Sequence, residues 1–292
     1  MNLSSSSTNE TRNHQVDMES NRRLTDTWAR DRARLAIYQF LSLATMNPQA
    51  ERWPRILESD LQELTSAAVK VIQDDAQACP DLLAPGELPL TSLDLTPIIT
   101  FLRQPHDELI EEFDQVFGLL ISRECPPYET EYCPQTFSVY RSQQLADIAG
   151  FYRAFWLQPS GLCPQRQDHI SLELEFMAWL NAKTLYAFEQ RDDDNENLCR
   201  DAQARFFSEH LAWWTTAFAL AVRKKADGIK DERDLNSPPG SFQGALGAFL
   251  AAFVAAERGI LGISPPTALT SVTEDVEGGC ETCPLAADTN FE

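Results

Sequence analysis

Apolar residues return every three to four positions along most of this chain, and nowhere do they alternate with the period of two that a half-buried strand requires. That regularity predicts an all-α fold, a compact multi-helix bundle of roughly eight to ten helices. Trp28, Leu35, Tyr38, Leu41 and the apolar residues up to Met46 form a first helix, which Asn47-Pro48 ends. Further helices are expected over residues 57–72, 95–102 and 107–120, with a proline-rich loop over 79–90. Leu109, Ile110, Phe113, Val116 and Phe117 make the inner stripe of the fourth helix, and its acidic residues face outward.

Pro126-Pro127 and Pro134 lack amide hydrogens and bias their neighbours to extended backbone, so residues 122–137 read as a loop. Helix resumes near Arg141. Leu145, Ile148, Ala149, Tyr152, Phe155 and Trp156 give it an apolar face, and it ends before Pro159-Ser160-Gly161. The next helix is expected to open at Asp168, whose short carboxylate suits the N-cap, and to close at Asp192-Asp193-Asp194. Two more, over 202–222 and 242–258, complete the body; the second is rich in alanine and suited to close packing.

Residues 1–22 are polar and expected to form a disordered tail, 23–262 the helical body, and 263–292 a flexible C-terminal tail. The charge pattern restricts the partners. With 24 basic and 44 acidic residues the chain carries a net charge of −20, the wrong sign for gripping a phosphate backbone, so nucleic acid is excluded as an expected partner. Between residues 107 and 147 nine acidic residues stand against Arg123 and Arg141, a pattern that suits either a solvated face or a dock for a basic peptide. The first thirty residues contain no apolar core of an export signal, and Arg22-Arg23 precedes a charged segment; a cytoplasmic protein without stable membrane insertion is expected.

Seven scattered cysteines read as free thiols. Cys280-Glu-Thr-Cys283 has metal-ligand spacing but supplies two of the four ligands that a closed site needs, and no histidine has a Cys or His three or four residues away. A resident metal or cofactor is therefore not expected. Ser-x-Gly elbows, phosphate-binding glycine loops, HExxH and GxGxxG are absent, so the chain reads as a non-enzyme. Four aromatics within Phe151-Tyr152-Arg153-Ala154-Phe155-Trp156 cannot all face inward on one helix, so part of this run should line a groove or stand exposed.

Phe113-x-x-Val116-Phe117-Gly118, Pro126-Pro127-Tyr128-Glu129, Ala149-Gly150-Phe151-Tyr152 and Asp168-His169-Ile170-Ser171-Leu172-Glu173-Leu174 together resemble the TorD/DmsD family of cytoplasmic molybdoenzyme chaperones. The resemblance implies an all-helical protein that binds the twin-arginine leader and the apo form of a catalytic subunit from the DMSO-reductase superfamily. It would hold that subunit back from export until molybdopterin guanine dinucleotide is inserted. Pro126, Pro127, Tyr128, Asp168 and His169 map onto the family's leader-binding region; Tyr128 stands where a tryptophan is often found, and Cys280/Cys283 have no counterpart. Glu129, Glu131 and Asp168 are the expected acidic contacts, with Tyr128, Phe151 and Tyr152 as apolar wall. A leader offers two guanidinium groups and an apolar segment, and carboxylates beside a groove are the matching chemistry. The alternatives are a helical scaffold without leader recognition and a weak guanine-nucleotide binder. Monomer and dimer both remain open.

Overall fold

The structure, a computed structural model, describes residues 6–118, 122–133, 138–160, 165–228 and 237–272, with side chains from residue 24 onward except Ser138. It is all-helical. In chain order the helices are α1 (Ser6–Ala44), α2 (Ser59–Gln73), α3 (Thr96–Phe101), α4 (His106–Phe117), α5 (Ser138–Ala154), α6 (Ile170–Gln190), α7 (Asp193–Phe206), α8 (Ala212–Ala226) and α9 (Phe242–Leu261). Among the described residues there is no strand, only an isolated antiparallel bridge between Tyr128 and His169.

The core is built where apolar faces meet. α1 packs on α6 and α2, α6 on α7, and α8 on α9, with α4 closing over the last pair. Ile37, Phe40 and Leu41 of α1, Met177 and Leu180 of α6, Trp214 of α8, and Phe249 and Phe253 of α9 share one cluster. Burying each large side chain contributes about 1.5 to 3 kcal/mol before conformational costs.

α9 is apolar on nearly all its faces because it lies inside. By length and hydropathy Phe242–Leu261 would pass for a membrane span, yet it is mostly buried inside the bundle. A Cβ at Gly247 would stand 2.7 Å from the Ala219 carbonyl oxygen, so glycine sets how closely α9 approaches α8. Its first turn is held from elsewhere: Glu112 of α4 accepts from the amides of Phe242 and Gln243 at 3.2 and 2.6 Å, and Ser241 Oγ accepts from Gly244.

Two buried arginines tie α9 to distant chain. Arg34 of α1 donates through Nε to both Glu257 oxygens at 3.1 and 2.9 Å and through Nη1 to Asp31, which also receives Arg200 of α7 at 2.7 Å. Arg258 pairs with Glu87 at 2.9 and 2.8 Å. Desolvation consumes most of the Coulomb gain of such pairs, so their effect is to fix which helix faces which.

Three boundaries differ from the sequence expectation. α1 starts at Ser6, within the polar stretch assigned to a tail. α6 starts at Ile170 with His169 as its N-cap, not at Asp168. The helix expected from residue 202 begins at Asp193, where Asp192 accepts from the Asn195 amide, and runs through a π-helical turn (Phe207–Leu211) into α8 as one rod.

Candidate functional site: a loop strapped to the start of α6

The Pro126-Pro127-Tyr128 loop is sewn to the residues before α6. Ile170 N donates to Pro127 O at 3.0 Å and Glu129 N to Asp168 O at 3.0 Å, on either side of the Tyr128–His169 bridge. Pro126 is buried, while Pro127 and Tyr128 are half-buried at the rim. Extended backbone imposed by the two prolines is what lets this loop pair like a short strand.

His169 caps α6 through its side chain: Nδ1 accepts from Ser171 N at 3.1 Å and lies 2.7 Å from Ser171 Oγ. Burial first, and the Arg166 charge second, lower its pKa to about 3, so the ring is neutral and free to accept. Its ring meets Tyr128 edge-on at 5.2 Å.

Asp168 takes a different part from the expected cap. It is fully buried; Oδ2 accepts from Thr130 N at 3.2 Å and from Thr130 Oγ1 at 2.7 Å. Both carboxylate oxygens also receive Arg166, Nε to Oδ1 at 3.1 Å and Nη2 to Oδ2 at 2.8 Å. The same guanidinium donates to Glu131 at 3.1 Å and lies 4.3 Å above the Tyr128 ring. Burial lowers the Arg166 pKa and the Asp168 and Glu131 carboxylates more than offset it, so the net shift is upward. Glu131 also pairs with Arg141 at 3.4 Å.

Glu129 points inward. Fully buried, it accepts from Trp213 Nε1 at 2.9 Å and Gln144 Nε2 at 2.8 Å, and its Oε2 lies 3.2 Å from His210 Nδ1. Deeper still, Glu173 receives Trp214 Nε1 at 3.3 Å. Burial, then the nearby Glu129 and Asp168, push its pKa well above the usual carboxylate range.

The aromatic run divides. Tyr152 is buried, donates to Gln167 O at 2.9 Å and packs on Phe176; Phe151 is half-buried against Phe206 and His210. Trp156 leaves the apolar face on which it was expected and is 96% exposed. α5 closes at Ala154 in a Schellman turn, Leu157 N to Tyr152 O at 2.9 Å and Trp156 N to Arg153 O at 3.0 Å, with Trp156 at φ 60° where glycine usually sits.

The predicted residues Pro126, Pro127, Tyr128, Glu129, Glu131, Asp168 and His169 thus gather at one strapped corner, and Phe151 and Tyr152 line the adjoining α5. Sequence reasoning missed Arg166, Gln144, His210 and Trp213, which neutralise or satisfy the acidic groups it took as solvent-facing. Arg166, two residues before Asp168, was the legible one. The described cysteines Cys79, Cys125, Cys133 and Cys199 are free, as expected. Cys280 and Cys283 lie outside the described residues.

Residues 90–220 match the family described as nitrate reductase delta subunit. That stretch runs from the segment before α3 into α8 and contains the whole strapped corner. The match covers less than half of the chain and agrees with the TorD/DmsD resemblance of its motifs. That family is one of molybdoenzyme maturation chaperones and not of catalytic subunits. No curated protein matches the chain.

Proposed function

We propose that this protein is a cytoplasmic chaperone that binds the twin-arginine leader and the apo catalytic subunit of a DMSO-reductase-superfamily molybdoenzyme. It holds that subunit until its molybdopterin cofactor is in place. The observation that supports leader recognition is the seat around Arg166. Two carboxylates, the Thr130 hydroxyl and the Tyr128 face surround a guanidinium that is one-third exposed. Planar bidentate pairing and ring stacking are what distinguish arginine from lysine recognition. A leader arginine displaces Arg166 from Glu131 and Tyr128, while the inward Glu129 maintains the loop rather than touching the peptide.

Calorimetry with a synthetic twin-arginine leader tests this. Glu131→Gln and Tyr128→Ala should each weaken binding about five- to tenfold, roughly 1 to 1.4 kcal/mol. Arg166→Ala should tighten it by removing the internal competitor, and a leader with both arginines changed to lysine should bind more weakly. A leader that does not bind, or binds all three variants equally, overturns the reading.

A further inference from the structure

We propose that His210, Asp147 and Glu209 form a binding site for a divalent metal ion of the zinc type, open to solvent beside the strapped loop. His210 sits in the π-helical turn between α7 and α8, and its imidazole is fully buried among Phe151 and Phe206. On its Nδ1 side stand both Glu129 oxygens, at 3.3 and 3.2 Å. Gln144 Nε2 lies 3.3 Å from the same Nδ1 but donates to Glu129 at 2.8 Å; in the tautomer with its hydrogen on Nδ1, the imidazole donates to the carboxylate and Nε2 presents its lone pair. Glu129 is in turn anchored by Gln144 and Trp213. This carboxylate–histidine arrangement orients ligating imidazoles in metal sites.

Nε2 is buried and has no hydrogen-bond partner. The oxygen facing it is Asp147 Oδ2 at 3.5 Å, so in that tautomer two electron-rich atoms face each other. The separation is longer than an N–H···O hydrogen bond. It agrees with the ligand-to-ligand edge of a tetrahedral site, about 3.4 Å for bonds of about 2.1 Å. Glu209, the residue before His210, brings a third ligand atom, and the three lie within 4.8 Å of one another. Glu209 is exposed and paired on the surface with Arg205, at 3.3 Å, an exposed ion pair from which it can swing inward. One imidazole and two carboxylates, with the fourth position left to water, are a donor set that zinc accepts.

A proton on Nε2 is the competing occupant, because an imidazolium between Glu129 and Asp147 satisfies the same atoms. The full chain, stripped with chelator and titrated with zinc chloride in a calorimeter, separates the two. One ion per chain should bind, and cobalt bound in its place should show visible d–d absorption. Asp147→Asn and Glu209→Gln, both at exposed positions, should weaken binding at least tenfold with helicity unchanged, and zinc should raise the unfolding temperature of the parent but not of Asp147→Asn. Cys280→Ser with Cys283→Ser should leave this binding intact. Absence of metal binding, which assigns the site to a proton, overturns the proposal, as does binding that both carboxylate variants leave unchanged. Neither result bears on leader recognition, which is read from a different titration.

Discussion

Replacing Asp168 by alanine should destabilise the protein before it says anything about ligands. The substitution leaves the buried Thr130 amide and hydroxyl without their shared acceptor and removes both hydrogen bonds from Arg166. A stranded buried donor costs about 1 to 3 kcal/mol. The Arg166 contribution must be discounted, since its guanidinium is one-third exposed and water rescreens it. Together these give a loss of about 3 kcal/mol. For a helical body of this size the unfolding temperature falls about 2 to 4 °C per kcal/mol, hence about 6 to 12 °C. Urea unfolding followed by circular dichroism, with Thr130→Val and the double variant completing a cycle, reads the shared acceptor directly as a coupling of about 1 kcal/mol or more. A loss below about 1 kcal/mol, or additive single effects, would refute the assignment of Asp168 as the clasp of the loop. Glu131 and Tyr128, at the rim, are the residues with which to probe leader binding.

Other perturbations read other parts of the bundle. His169 has a folded pKa lowered to about 3 against about 6.5 unfolded, so its contribution to stability is complete above pH 6.5 and declines as pH falls, by about 1.4 kcal/mol per unit. His169→Asn, which keeps a capping acceptor, should remove that part of the acid sensitivity between pH 7.5 and 5 in urea titrations. Glu173 has the opposite sign: its folded pKa is raised, so its contribution is complete below the unfolded value near 4.5 and is lost as pH rises. Glu173→Gln should therefore gain stability over the parent at pH 8 and lose that advantage at pH 4.5, as thermal melts at the two pH values would show. Gly247→Ala should cost about 1 to 3 kcal/mol, because its Cβ meets the Ala219 carbonyl; an unchanged urea midpoint would contradict the close approach of α8 and α9.

How much of this was legible beforehand follows the range of the interactions. The helical period and the proline breaks are local, and they located α2, α3, α4 and α9 to within a few residues. Asp168 was misplaced because capping rules look only a few residues ahead, whereas its partner Thr130 lies 38 residues back. Asp192-Asp193-Asp194 close α6 as read, but the same acidic run also opens α7 ahead of the expected residue 202, because acidic side chains at a helix start are favoured by the backbone dipoles. Charge is where composition misled most. Glu87, Glu129, Glu173 and Glu257 are all buried, matched to partners that sequence distance conceals. The loop and the Asp168-His169 pair were found by motif, and their internal guanidinium was not.

The wide turn at Phe207–Leu211 acts on the long rod as a phase shifter. One surplus residue rotates everything beyond it by about 100° relative to an uninterrupted helix. The first half can then give its greasy side to α6 while the second gives its own to α9, on bearings that a straight cylinder would not reconcile. Deleting a single residue there would restore a regular helix and set its two halves at odds, so this short slip carries the geometry by which the two ends of the bundle are joined.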